Sequence, residues 1–235
     1  VLQTGGMIVA LVGPKATGKS TIGRTLAARL GQHLDVIRIH AGKPRATPLT
    51  LLPLLFLPLA RVVLSKERTG EYEKPERRRE QRYSLVYVLR MTLLAHDRRR
   101  LIVRALRAAT AGSVVITDRY PSESVGAIDS CCFDEAAVAR CSSPLKRWLM
   151  NQERALYKGL PKPGLLLRLT APIETTVERD ASRLKRGGPD AAAVRRRWEL
   201  ENQAEFSGTP EIHIDTDRPL DETIRTVAGA VWAAL

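Results

Sequence analysis

The segment GPKATGKS, Gly13 to Ser20, constrains this chain more than any other. It matches G-x-x-x-x-G-K-[ST] at every fixed position. That spacing works as a loop between a strand and a helix, with backbone N–H groups turned toward an anion and the helix start adding positive charge. The flanks meet the demand. MIVALV, Met7 to Val12, is a short apolar run of the kind buried parallel strands show. KSTIGRTLAARLG follows, with Ile22, Leu26 and Leu30 at helical spacing and Gly31 as a stop. A glycine-rich turn with an incidental lysine would need neither flank. Gly13 and Gly18 let the backbone approach phosphates. Lys19 is expected to reach the β- and γ-phosphates, Ser20 to ligate Mg²⁺, and Thr21 to hydrogen-bond the α-phosphate. Pro14, Lys15, Ala16 and Thr17 complete the loop, and ATP with Mg²⁺ is the cofactor expected. The donor base is not legible, so GTP stays open.

Strand and helix patterns alternate along the rest of the chain. DVIRI (Asp35 to Ile39) reads as a second strand. An apolar insertion runs from His40 to Leu64, and the charged stretch SKERTGEYEKPERRRE follows, broken by Gly70 and Pro75. A long helical pattern covers Gln81 to Thr110. The third strand, Val114 to Thr117, ends on Asp118. SPLKRWLMNQERALYKGL predicts a helix with Ser143 as N-cap before Pro144. GLLLRL is a fourth strand, and Pro172 opens a helix that Gly187 and Gly188 close. A charged helix spans Asp190 to Glu205, EIHID is a fifth strand, and RPLDETIRTVAGAVWAAL is the last helix. The economical solution is an α/β fold with a five-stranded parallel sheet covered on both faces. The expected organisation is one domain over 7–235, with 1–6 an upstream extension. Within it, 40–80 is an acceptor-side insertion and 179–200 a helical lid region.

A chain of 235 residues is long enough to bury one full core. Its formal charge of +13 asks for a partner. Nucleic acid is one candidate, because basic stripes neutralise phosphates. The runs RRRE, HDRRR and RRRW lack the interleaved aromatics of single-strand binders, so solvated helix faces are the preferred reading. The partners expected are therefore a nucleoside triphosphate and a small-molecule acceptor. Cys131, Cys132 and Cys141 show no C-x-x-C spacing, which fits unligated thiols in a reducing compartment. The apolar run Leu49 to Leu64 is shorter than the roughly 20 residues a membrane span takes, and Pro53 and Pro58 interrupt it. Peripheral membrane contact stays open, because a basic stretch follows it. With no leader visible, a cytoplasmic location is the expectation. Oligomeric state, a homodimer included, is not legible.

The strand, loop and helix at the start, together with VVITDRY later, resemble thymidylate kinase and its relatives among the P-loop nucleotide kinases. AHDRRRLIVRALRAATAGSVVITDRY looks like that family's helix running into its D-R-Y motif. KPGLLLRLTAPIETTVERDASRLKRGG is similar to its later strand, helix and arginine-bearing lid, and EIHIDTDRPLDETI to its closing strand and helix. The resemblance implies a P-loop NTPase fold. It implies that Asp118 orients Mg²⁺ and its waters or approaches the acceptor. Arg119 would hold an acceptor phosphate or the transferring group, with Tyr120 beside it. Asp118 also ends a strand at the edge where open α/β sheets bind ligands. A salt-bridged turn is the lesser reading of such a D-R-Y beside a phosphate loop. Arg179, Arg183 and Arg186 recur at three- and four-residue spacing and so share one helix face, as a cationic lid closing over phosphates requires. Surface ion pairs would place them the same way.

Two family motifs are replaced. Where R-E-P-G-G-T is expected the chain has RIHAGKPRATP, and after D-R-Y it has PSESVGAIDS without the A-Y-Q-G that supports the pyrimidine. The donor half matches and the acceptor half departs. His40, Lys43 and Arg45 stand on the loop after the second strand, where they can meet an anionic group. A phosphate acceptor needs no strong base, whereas a sugar hydroxyl would draw on Asp118 or His40. The reading is γ-phosphate transfer to a small anionic acceptor, with a nucleoside monophosphate as the leading case. A kinase of a sugar or glycan precursor, a P-loop ATPase driving a partner, and a nucleic-acid modifying protein remain as alternatives.

Overall fold

The computed structural model describes residues 5–42, 44–45, 47, 50, 83–122, 124–127, 129–182 and 191–235. Five strands, β1 (Ile8–Val12), β2 (Val36–His40), β3 (Val114–Asp118), β4 (Leu165–Thr170) and β5 (Glu211–Asp215), form one sheet in the order β2-β3-β1-β4-β5. Every pairing is parallel. The expected α/β class and five-stranded parallel sheet are present. Sequence explains the order. The inner strands β1, β3 and β4 are buried almost throughout and read as near-continuous apolar runs. The edge strands VIRIH and EIHID interleave polar residues and are half exposed.

Seven helices accompany the sheet among the described residues: α1 (Lys19–Leu30), α2 (Leu85–Thr110), α3 (Glu135–Arg140), α4 (Pro144–Lys158), α5 (Ile173–Ala181), α6 (Ala191–Asn202) and α7 (Leu220–Ala234). α1 and α7 cover one face: Ile22, Leu26 and Leu30 join Ile224, Val227 and Val231 over Leu11, Leu167 and Ile214. The other face packs Ile8, Ala10, Val115 and Leu166 against Ile102, Ala105 and Ala109 of α2. Both faces of the sheet are thus closed. At about 1.5 Å per residue, the 26 residues of α2 outrun the sheet. Its first turns pack instead on α3 and α4, where Val88 meets Phe133, Leu149 and Met150.

One helix cap, Ser143, follows its sequence signal, and a second, Ser84, is a finding of the structure. Ser84 accepts from the Tyr87 N–H, and Ser143 accepts from the Lys146 N–H ahead of Pro144 at the first helical position. Several expectations need adjustment. α3, capped by Asp134 accepting from the Ala137 N–H, was not expected, because six residues are too few to show a period. Gly31 ends α1 in the right-handed region rather than as a left-handed stop. The helix expected to run to Gly187 is described only to Ala181. Most of the 40–80 insertion, the apolar run Leu49 to Leu64 and part of the 179–200 lid lie outside the described residues. No described helix is long and apolar enough to cross a membrane.

The strand order reverses around β1, with β3 and β2 on one side and β4 and β5 on the other. A crevice opens at the strands' C-terminal ends at such a point. The loops after β1 and β3 both face it.

Candidate functional site

Val12 leads directly into the Gly13–Ser20 loop. Gly13 takes φ +125°, and a Cβ there would overlap the Leu169 carbonyl oxygen of β4. Only glycine fits. Ala16 and Gly18 also have positive φ, at +69° and +83°, so the backbone turns back on itself before α1 starts. Thr17 pins the turn, its Oγ1 donating to the Pro14 carbonyl at 2.8 Å. α1 begins at Gly18 without a side-chain cap and carries no acid in its first turn. The helix start therefore keeps its positive end for an anion. Lys19 is buried and curls over this loop, its Nζ donating to the carbonyls of Gly13 and Pro14 at 2.6 Å each.

β1 and β3 are neighbours in a register that pairs Leu11 with Asp118. This sets the Asp118 carboxylate beside the loop, where Ser20 Oγ donates to its Oδ2 at 2.5 Å. A hydroxyl and a carboxylate side by side make the oxygen pair that Mg²⁺ takes when phosphates and waters fill its other positions. No cluster of three or more His, Cys, Asp or Glu side chains suited to a metal occurs among the described residues. Two oxygen donors would leave most of an octahedral Mg²⁺ shell to other ligands.

Arg119 follows at φ +71°, a conformation uncommon for any residue but glycine. Its N–H donates to the Leu11 carbonyl at 2.9 Å, and its own carbonyl accepts from Thr117 Oγ1. Its side chain lines a small cavity of about 30 Å³ together with Gly13, Lys19, Tyr120, Ser122 and Phe206. Two cations, one from each loop, thus face the same space. Tyr120 forms a wall rather than a contact: it is buried, its hydroxyl donates to the Pro161 carbonyl at 2.5 Å, and burial raises its pKa.

The other described candidates make contacts of their own. His40 ends β2 opposite Asp118, with its Nδ1 accepting from the Gly42 N–H at 3.1 Å. Arg45 is exposed, and Lys43, Arg183 and Arg186 lie outside the described residues. Arg179 donates to the Thr216 carbonyl at 3.1 Å and stands 3.8 Å from Asp217, so its guanidinium is turned to the loop after β5. The α5 residue that meets the Gly13–Ser20 loop is its neighbour Asp180, paired with Lys15 at 2.8 Å.

Three buried charged groups, Arg98, Arg168 and Glu153, are not legible as such in the sequence reading. HDRRR is expected to be a solvated face, yet Asp97 and Arg98 are buried. Arg98 sits on the stripe of Ala95, Ile102, Ala105 and Ala109, and that three- and four-residue spacing would have marked it as inward-facing. Its guanidinium donates to Tyr157 OH at 2.6 Å and to Asp129 Oδ1 at 2.5 Å, and Asp129 Oδ2 accepts from Arg119 at 2.8 Å. Arg168, buried in β4, donates to the carbonyls of Glu201, Asn202 and Ala204 and pairs with Glu211. It closes the end of α6 and so seats Phe206 on the cavity. No local signal in LLLRL pointed to this. Beneath α2, fully buried Glu153 accepts from the Cys132 N–H at 2.8 Å and from Cys131 Sγ at 3.1 Å. Burial pushes its carboxyl up to about 7, against those hydrogen bonds and the charge of Arg98.

No family model matches the chain, and neither does any curated protein.

Proposed function

We propose that this protein is a Mg²⁺- and ATP-dependent phosphotransferase of the thymidylate kinase-like P-loop type, acting on a small anionic acceptor, with a nucleoside monophosphate as the leading case. The observation that carries the reading is the contact of Ser20 with Asp118 beside a cavity that Lys19 and Arg119 both line.

Phosphoryl transfer is catalysed mainly by positioning and by cancelling charge, and each residue has a part in that. The loop N–H groups and the start of α1 hold the donor's phosphates. Lys19 leaves the carbonyls of Gly13 and Pro14 to follow the γ-phosphate. Ser20 and Asp118 would hold Mg²⁺, which would supply charge neutralisation on the donor's phosphates. Arg119, which also lines the cavity, holds the acceptor's anionic group or the group in transit.

The geometry also bears on the acceptor. In this reading Asp118 is taken up by Mg²⁺, and His40 Nδ1 accepts from the Gly42 N–H, so neither is left to serve as base for a hydroxyl. An acceptor phosphate needs neither. The test is ADP release from Mg²⁺–ATP by the purified protein across nucleotides, nucleosides and sugars. Transfer to a nucleoside monophosphate supports the proposal. Transfer only to sugars shifts it to the glycan-precursor class. Hydrolysis that no acceptor stimulates points to an ATPase, and oligonucleotide binding with a steep salt dependence points to a nucleic-acid partner.

A further inference from the structure

We infer that Asp129 is a positioning residue that aims Arg119 into the cavity beside Lys19, with Arg98 as its buried counter-charge; this rests on the phosphotransfer reading above. One carboxylate is shared by two guanidiniums. Oδ1 accepts from Arg98 at 2.5 Å and Oδ2 from Arg119 at 2.8 Å, and the Asp129 side chain is only 6 % exposed. The two arginines differ in situation. Arg98 is 3 % exposed and also donates to Tyr157 OH, whereas the Arg119 side chain is 31 % exposed and lines the cavity.

A buried carboxylate with one arginine would form a neutral pair and present nothing to a ligand. The second arginine changes this. Arg98 offsets the cost of burying Asp129, so the trio keeps a net positive charge, and its exposed member is Arg119. The surroundings reinforce the aim. Arg119 and Asp129 both adopt positive φ, at +71° and +60°, and strained backbone of this kind persists only where neighbours hold it. The loop after β2 presses on the pair at Gly42, where a Cβ would overlap Asp129 Oδ2 and come within 2.9 Å of Arg119 Cδ. Three separate chain segments therefore set one guanidinium.

The test is a double-mutant cycle on Asp129 and Arg119. Turnover is read as ADP release from Mg²⁺–ATP with the best acceptor of the panel, or with water where none stimulates. Asp129→Asn keeps the shape and removes the charge. It is expected to lower kcat about 10- to 100-fold, as misplacing a positioned group does, with KM for ATP within about twofold of wild type. Arg119→Ala should lose as much, and the double variant no more than Arg119→Ala alone, because Asp129 acts through Arg119. Should Asp129→Asn fail to fold around an unpaired Arg98, Arg98→Met with Asp129→Asn removes the buried charges together. That variant should fold and be equally slow. Losses that add, or folded variants at near-normal kcat, would overturn this inference while leaving the phosphotransfer reading in place. A wild-type protein that neither binds nor turns over Mg²⁺–ATP would overturn both.

Discussion

Ser20 and Asp118 lie 98 positions apart in the chain, and the serine hydroxyl donates to the aspartate carboxylate at 2.5 Å. One opens the first helix after β1 and the other closes β3, so the contact exists because β1 and β3 pair in parallel. If this pair holds Mg²⁺, Asp118→Asn should raise the Mg²⁺ concentration needed for half-maximal ADP release about 10- to 100-fold. A chelator should abolish release from wild type. An unchanged Mg²⁺ titration in the variant would exclude the pair as the metal site.

Lys19 separates catalysis from folding. Its two shortest hydrogen bonds go to loop carbonyls that water can satisfy once the ammonium is gone, at about 1 kcal/mol each. Lys19→Ala should therefore lose less than about 2 kcal/mol of stability in a urea titration while turnover falls about 100-fold or more. Near-normal turnover in a folded variant would rule out the donor-site reading.

Thymidine monophosphate should be a poor acceptor. The segments RIHAGKPRATP and PSESVGAIDS stand where the resembling family carries its pyrimidine-recognition motifs. The loop after β3 is instead occupied by the Asp129 network. A coupled assay showing efficient phosphorylation of thymidine monophosphate would show that those departures matter less than argued.

Glu153 should make stability depend on pH. Its carboxyl titrates near 4.5 when exposed and at about 7 in the folded protein, so between those values the folded state binds more protons. The stabilisation is complete below about pH 4.5 and lost as pH rises through 7, an effect of about 3 kcal/mol for this shift. Glu153→Gln stays neutral. Its stability relative to wild type should rise between pH 5 and pH 8, read from urea midpoints. A constant difference across that range would show that Glu153 does not titrate there.

The lid arginines should not contribute equally. Arg179 is held by Thr216 and Asp217, so Arg179→Ala is expected to change kcat less than about threefold, as for an exposed ion pair. If the lid reading holds, Arg183→Ala or Arg186→Ala lowers kcat more than it raises KM for ATP. Replacing Arg77, Arg78 and Arg79 together is the control and should leave kcat near normal. Loss of catalysis in the control with the lid variants intact would move the cationic site into the 40–80 insertion.

Much of the sheet was legible because inner parallel strands must be apolar along their whole length, and edge strands need not be. MIVALV, GSVVIT and GLLLRL announced themselves, and Ser84 was missed as a cap only because the expected helix began three residues earlier, at Gln81. The donor side of the site was legible for a related reason. Its chemistry is local, since eight consecutive residues and the strand and helix beside them set the backbone that faces an anion. Asp118 could be marked from its place at a strand end.

What the chain by itself determined, then, is the part of the protein whose partners are near in sequence: strands, helices, caps and the Gly13–Ser20 loop. Tertiary structure decided the part whose partners are distant. That Asp118 reaches Ser20 depends on β1–β3 register, and that Arg98 and Arg119 share Asp129 depends on α2 crossing the loop after β3. Arg98 and Arg168 have no charge partner near them in sequence. They are buried because carboxylates and carbonyl groups from remote segments offset the cost of removing a guanidinium from water, and those groups are brought together only when the sheet and its helices pack.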